Sequence, residues 1–439
     1  MNYKRIVILS PPFYSHFNPL LNLGRAFAAA GVEVIVACSE AFRPQIEAAG
    51  LRFAPLDINR NANTGVAQQT EQAKEEAQRL EAFFAATREG PIATLMLQSR
   101  HRQQDMLTDP VRLREEIAAL ADAETPDLFV VDQLSYAVTL ALTCLRLPFI
   151  TFCPGHPTYV PRGEQLFGVP YAWPSAFDVA DAEIKRLRAV ASATHDRFTV
   201  IFNEIMSEYD PTLPPVNDAF RLTSDRAIVF NSPDFGHLHR EDDGIEKHFI
   251  GYAFQEEPLP PQWEQRLAQA DPSAPTILLT FGTFLSARDD VLARCIEGIT
   301  RAYPQSTLIV SAGANKDVLA RYRSARVFVE RFVPQKGLLP HTDLIIHHGG
   351  NNSFTETLYF GKPMLILPFS SDQFAIAHDA EVQGVAACLP PNRFTEAELA
   401  DAMAHMLAPA RRPALERWQA HVRARGPAYA VARLMRIEA

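Results

Sequence analysis

Short aliphatic, β-branched runs alternate with longer helix-patterned stretches, and the alternation runs through this chain twice. RIVILS (5–10) leads into NPLLNLGRAFAAAG, and VEVIVACS (32–39) follows. In that helical stretch Asn18 is placed to cap the start, Pro19 to occupy the first turn and Gly31 to close the end. Strand, helix and strand at this spacing make a βαβ unit, which needs a parallel sheet with right-handed crossovers. DLFVVD (127–132), LPFITF (147–152) and RAIVFNS (226–232) continue the series, the last read as the final strand of the first half. Residues 66–120, rich in Gln, Glu, Arg and Ala, fit amphipathic helices. A polar, proline-rich segment (254–275) then intervenes, and the rhythm restarts with TILLTFGT (276–283), TLIVSAG (307–313), VFVERF (327–332), DLIIHH (343–348) and MLILPF (364–369). Helices are predicted near 289–302, over 394–408, and through the tail.

The restart implies an α/β chain of two Rossmann-like domains, each with a parallel sheet, facing each other across a cleft. The expected boundaries are 1–240 for the first domain, 241–275 for a linker, 276–410 for the second domain and 411–439 for a helical tail packing back on the first. At 439 residues the length suits two such cores. In sheets of this kind, ligands sit beyond the carboxyl ends of the strands. The net charge of -9 argues against nucleic acid or an anionic membrane as partner. Cys38, Cys144, Cys153, Cys295 and Cys388 are scattered, without metal or disulfide spacing, as in a reducing compartment. The apolar run at the start is too short for a signal peptide, and no window reaches transmembrane length. A cytoplasmic, soluble protein is the expectation.

The stretch HHGGNNSFTE (347–356) packs small polar groups between an apolar run and a helix-like segment. Gly349 and Gly350 allow close backbone approach, and the helix start offers unpaired N–H groups and a positive dipole end. Together these bind phosphate without a metal. His348, Asn352 and Ser353 add neutral donors. Ser353-Phe354-Thr355-Glu356 also fits a capping box, with Ser353 as N-cap and Glu356 reaching back. A cap alone does not explain the two glycines and the histidine. His347, one residue earlier on a strand, points to the other side from His348.

The longer segment VPQKGLLPHTDLIIHHGGNNSFTETLYFGKPMLILPFSSDQ (333–373) resembles the donor-binding signature of family 1 nucleotide-sugar-dependent glycosyltransferases, inverting enzymes of the GT-B fold. The resemblance runs the length of the chain. It implies an N-terminal acceptor domain and a C-terminal nucleotide-sugar domain. On the matching positions, Phe332 lies where an aromatic stacks on the nucleobase, beside Val333, and Gln335 contacts base or ribose. His348, Asn352, Ser353 and the Gly350 backbone would hold the diphosphate, and Glu356 the ribose hydroxyls. Asp372 and Gln373 would bond the sugar, and Thr283 would reach the phosphates from another strand end. Phe332 stands where plant members carry tryptophan, and Ile376 where an asparagine is frequent, so the resemblance leaves base (uracil or thymine) and sugar open. It implies a UDP- or dTDP-sugar co-substrate and no other cofactor. No D-x-D triplet is present, so no metal is indicated.

SHFNP, after the first strand, places His16 just before a helix start, where a neutral imidazole is a candidate general base and the positive helix end disfavours the imidazolium. The element resembles the family's H-x-N-P, whose histidine deprotonates the acceptor hydroxyl with help from an aspartate at a later strand end. Asp132, closing DLFVVD, takes that place; it also suits the N-cap of the next helix. The segment CPGHPTYVPRGEQLFGVPYAWPSAFD (153–178) is rich in proline and aromatics, as functional loops are. Phe13, Tyr14, Phe84, Phe152, His156, Tyr171 and Trp173 are therefore candidates for a pocket taking a small apolar or aromatic acceptor. The competing readings are a nucleotide-sugar epimerase or hydrolase, and a non-catalytic helper of a partner transferase.

Overall fold

The structure, a computed structural model, describes residues 3–58 and 74–436. Among these, thirteen strands form two sheets in which every pair is parallel. The first sheet contains β1 (Arg5–Leu9), β2 (Glu33–Cys38), β3 (Arg52–Pro55), β4 (Leu128–Asp132), β5 (Phe149–Cys153), β6 (Ala227–Phe230) and β7 (Glu246–Phe249). The second contains β8 (Thr276–Thr280), β9 (Thr307–Ser311), β10 (Val327–Glu330), β11 (Leu344–His347), β12 (Met364–Ile366) and β13 (Ala386–Cys388). The spatial orders are β3-β2-β1-β4-β5-β6-β7 and β10-β9-β8-β11-β12-β13. This is the GT-B architecture of two Rossmann-like domains.

Both faces of each sheet are covered, which is why the central strands read as unbroken apolar runs. In β1, Ile6 and Ile8 enter one core, Val7 and Leu9 the other. The β8 residues divide the same way, Ile277 and Leu279 against Leu278. Strand order reverses between β1 and β4 in the first sheet and between β8 and β11 in the second. The loops leaving those strands diverge there and open a crevice. His16 follows β1 and Asp132 ends β4; Gly282 follows β8 and His348 follows β11.

The sequence reading needs three corrections. RAIVFNS is not the last strand of its sheet, because the charged EKHF segment adds β7 beyond it. The first helix spans Tyr14–Ala29 with Phe13 at its N-cap, so Asn18 is not the cap and Pro19 lies inside the helix. The 351–359 helix begins two residues ahead of the expected capping box. Gly350 is its N-cap, in extended backbone, and no side chain caps it.

The tail forms two helices, broken at Gly426, whose φ of +90° suits only glycine. Leu415, Trp418 and Val422 of Arg412–Arg423 join the core of the second sheet. Ala430, Val431, Leu434 and Met435 of Pro427–Met435 join the first, beside Phe17 of the Tyr14–Ala29 helix. Among the described residues, no helix is long and apolar enough to cross a membrane.

Candidate active site

The Asn351–Tyr359 helix presents its bare N-terminus at the crevice of the second sheet. Its first backbone hydrogen bond runs from Phe354 N–H to the Gly350 carbonyl, so the three N–H groups ahead of it have no helical partner. His348 lies beside this end. A Cβ on Gly350 would fall 2.3 Å from its Nε2, and one on Gly282 would fall 3.0 Å from its Cε1. The two glycines therefore make the space the imidazole occupies. Burial lowers the His348 pKa to about 4, so the ring is neutral and carries a single N–H. His347 is wholly buried and accepts the Gly349 N–H on Nδ1 at 3.0 Å. The two histidines thus face different surroundings.

Glu356 and Gln335 form the next group along this helix. Gln335 Nε2 donates to Glu356 Oε2 at 2.7 Å and to Ser353 Oγ at 3.3 Å. Burial pushes the Glu356 carboxyl up to about 7 despite Lys336 and Gln335 nearby. Phe332 is 55% exposed, and Val333 packs against the core behind it. The Thr283 side chain lies outside the described residues. Asp372 stands at the N-cap of the Gln373–Val382 helix but makes no side-chain cap, and instead accepts His156 N–H of the first domain at 2.9 Å. The Gln373 amide is turned inward, accepting from Phe369 N and Ser370 N. Ile376 is sealed in the core of the second sheet and faces no ligand space.

On the opposite wall, His16 Nδ1 lies 2.8 Å from Asp132 Oδ2. Asp132 is fully buried, and its other oxygen accepts Leu134 N–H at 2.9 Å. An acceptor-only carboxylate fixes the proton on Nδ1 and leaves Nε2 as the basic atom. Burial works against the imidazolium, but the charge and hydrogen bond of Asp132, with Asp372 farther off, outweigh it and raise the pKa. That reverses the expectation that the helix end keeps His16 easily neutral.

A contact between the two walls runs right beside the candidate base. Asn352 Nδ2 donates to the Ser15 carbonyl, next to His16, at 3.0 Å. Ser15 is four residues before Pro19, which has no N–H to return. The interior proline thus frees the carbonyl that the second domain uses. Asn351 adds bonds from its Nδ2 to the carbonyls of Pro154 and Asn231 at 2.8 and 2.6 Å.

Residues 307–433 match the family model described as erythromycin biosynthesis protein CIII-like, C-terminal domain. The L-demethylnoviosyl transferase of Streptomyces niveus is 25% identical over 393 residues, covering 88% of this chain and 85% of that protein. Among solved structures, the kitacinnamycin glycotransferase superposes with a TM-score of 0.68 at 20% identity, over 99% of both chains. Spinosyn rhamnosyltransferase SpnG complexed with thymidine diphosphate superposes with a TM-score of 0.63 at 16% identity, over 99% of this chain and 100% of that one. The fold is that of the GT-B glycosyltransferases, and the relatives that match this chain are natural-product glycosyltransferases.

Within this fold the aromatic candidates scatter. Phe13 lies edge-on to His16, with ring centroids 6.0 Å apart, and Tyr14 packs on Phe42 while its hydroxyl accepts from Gln45. Phe152 is sealed in the core of the first sheet, because its side of β5 faces the helical layer. Phe84 is buried against the second sheet's helices, carried there by the Lys74–Glu89 helix, whose Thr87 carbonyl accepts from Arg288 and Asn392. Neither lines the cleft. His156, Tyr171 and Trp173 contact the Gln373–Val382 helix of the second domain. Sequence reasoning missed Asn351, Asn231, Gln98 and Asp379, all at the domain junction. Asp379 alone left a signal, an acid two helical turns after Asp372.

Proposed function

We propose that this chain is an inverting, metal-independent glycosyltransferase moving a sugar from a UDP- or dTDP-sugar to a hydroxyl of a small apolar or aromatic acceptor. The observation that carries this reading is the Asn352–Ser15 bond, which brings the uncapped helix end beside the His16–Asp132 pair. His16 Nε2 takes the acceptor proton while Asp132 stabilises the imidazolium that forms, as in hydrolytic triads. The oxygen attacks the anomeric carbon from the face opposite the leaving nucleoside diphosphate. Charge developing on the diphosphate meets the N–H groups of the 351–359 helix, the His348 N–H and Ser353, preorganised donors that do the work of a cation. Asn352 contributes its second amide N–H. Phe332 stacks on the base, Val333 backs it, and Gln335 and Glu356 take the ribose. Asp372 holds sugar hydroxyls, and Gln373 joins it once its amide leaves the 369–370 backbone. Phe13 and Tyr14 flank the acceptor. A thymine base has added support from the SpnG relative, solved with thymidine diphosphate.

The test pairs ligand binding with turnover. UDP, dTDP and their glucose conjugates are screened by thermal shift, where stabilisation grows as the logarithm of concentration over Kd. His16→Ala then keeps that shift but loses transfer by about 10²–10⁴-fold, the range of a general base. Normal turnover in His16→Ala overturns the base assignment. Sugar release without an acceptor in wild type would instead mark a hydrolase.

A further inference from the structure

The Gln373–Val382 helix and its N-cap residue place two acids on one face. Asp372 and Asp379 are seven residues apart, two helical turns, so their side chains leave in nearly the same direction. Asp379 is 1% exposed, yet its donors belong to the other domain. His156 Nε2 lies 3.0 Å from Oδ2, the Tyr171 hydroxyl donates to Oδ1, and His237 Nε2 is 3.4 Å from the same oxygen. Burial opposes the charge, but these partners, His156 foremost, overcome it and hold the carboxyl below its ordinary range. A buried carboxylate is tolerated only where donors replace water. Those donors reach Asp379 only when the two domains are together.

His156 is bound at both ends. Its ring reaches Asp379, its Nδ1 is paired with Thr158 Oγ1 at 2.8 Å, and its backbone N–H donates to Asp372 Oδ2. The residue before Asp372 is held from the same side. Ser371 has a φ of +57°, a left-handed backbone that a residue with a Cβ adopts at a cost. Its N–H donates to Gln98 Oε1 at 3.1 Å, and its hydroxyl lies 3.0 Å from the Tyr159 hydroxyl. Farther along, Ser175 donates twice to Glu381, and His378 Nδ1 meets the Trp173 carbonyl. The first domain thus grips this helix from Ser371 to Glu381.

We propose that Asp379 is a positioning residue: through His156 it sets the Asp372 carboxylate against the donor sugar, so that domain closure and sugar recognition are one event. This rests on the donor-site reading above. Asp379 touches no substrate; it fixes the imidazole whose peptide N–H orients Asp372. The Pro-rich 153–178 segment therefore serves as a clasp on the sugar end of the donor site, rather than as an acceptor wall alone.

Calorimetric binding separates this from a general structural role. Wild type, Asp379→Asn, His156→Leu and His156→Gln are titrated with UDP and dTDP and with their glucose conjugates. Asp379→Asn and His156→Leu keep the affinity for bare nucleotide but bind the sugar conjugate about tenfold more weakly, the effect of losing one charge-assisted hydrogen bond. His156→Gln, whose amide N–H reaches the same carboxylate, recovers most of that loss. Asp372→Asn shows the same loss, and the Asp372→Asn/Asp379→Asn double variant is no worse than either single one. Equal weakening of nucleotide and conjugate, or no weakening of either, overturns the proposal. Should Asp379→Asn fail to fold, equal behaviour of the two His156 variants overturns it as well. Wild type binding neither nucleotide nor conjugate overturns the donor-site reading itself.

Discussion

His16 and Glu356 both hold protons more tightly than usual, for opposite reasons. Asp132 and Asp372 stabilise the charged imidazolium against burial, whereas burial destabilises the charged Glu356 carboxylate. A base must be neutral to act, so the acid limb of kcat/KM lies above the ordinary histidine value of 6.5. In Asp132→Asn the burial effect gains weight and the limb moves to lower pH. The plateau rate also falls by about 10³-fold, because the tautomer is no longer fixed. A pH–rate profile of the two proteins decides this, and an unmoved limb refutes the pairing. For Glu356 the consequence is stability. Between 4.5 in the unfolded chain and about 7 in the folded one, the native state holds the extra proton, so stability falls as pH rises through that window. The difference amounts to roughly 3 kcal/mol at about 1.4 kcal/mol per pH unit. Glu356→Gln should gain most of this at pH 8 and nothing at pH 4, measured by urea denaturation at both. The cost is consistent with a carboxylate kept for ribose rather than for the fold.

Helices and strands were legible in proportion to how far local pattern determined them. The 289–302 helix stands where its amphipathic spacing put it. The strands missed, β3, β7 and β13, are all at sheet edges, where a strand needs partners on one side only and tolerates charged or small residues. The order of the site motifs was readable because each follows a central strand. The helix starts were not, since Phe13 and Gly350 begin helices without the side chains that mark a cap. Pro19 shows what such a misreading conceals. Taken as a first-turn residue it is ordinary; inside the helix it leaves the Ser15 carbonyl for Asn352. Pro19→Ala supplies an N–H that competes for this carbonyl. Melting temperature should rise, because an interior proline costs a helix about 3 kcal/mol, while the KM for the nucleotide sugar rises several-fold. A higher melting temperature with unchanged KM would leave the Asn352 contact without a role in closure.

At the scale of the whole molecule, the chain crosses between domains more than once, and this part had little local signature. The Lys74–Glu89 helix of the first domain lays Phe84 into the second domain's core, and buried Arg288 secures its end. The tail makes the reverse crossing. Gly426 N–H donates to the Ile250 carbonyl, and the Pro427–Met435 helix then covers the helix that carries His16. No periodicity distinguishes a helix that covers its own domain from one that covers the other. Removing residues 426–439 uncovers Ala430, Val431, Leu434 and Met435 together with their partners on the first domain. At about 1.5–3 kcal/mol for each of the three larger side chains, the loss is roughly 5–9 kcal/mol, a large part of a domain's stability. It falls on the first domain alone, because the Arg412–Arg423 helix stays with the second. Calorimetry should therefore show an early transition for the first domain and a later one that nucleotide still shifts. A truncated chain that melts as wild type does would mean that the tail merely rests on the surface. A single lowered transition would mean that the clasp around Asp379 keeps the domains melting as one.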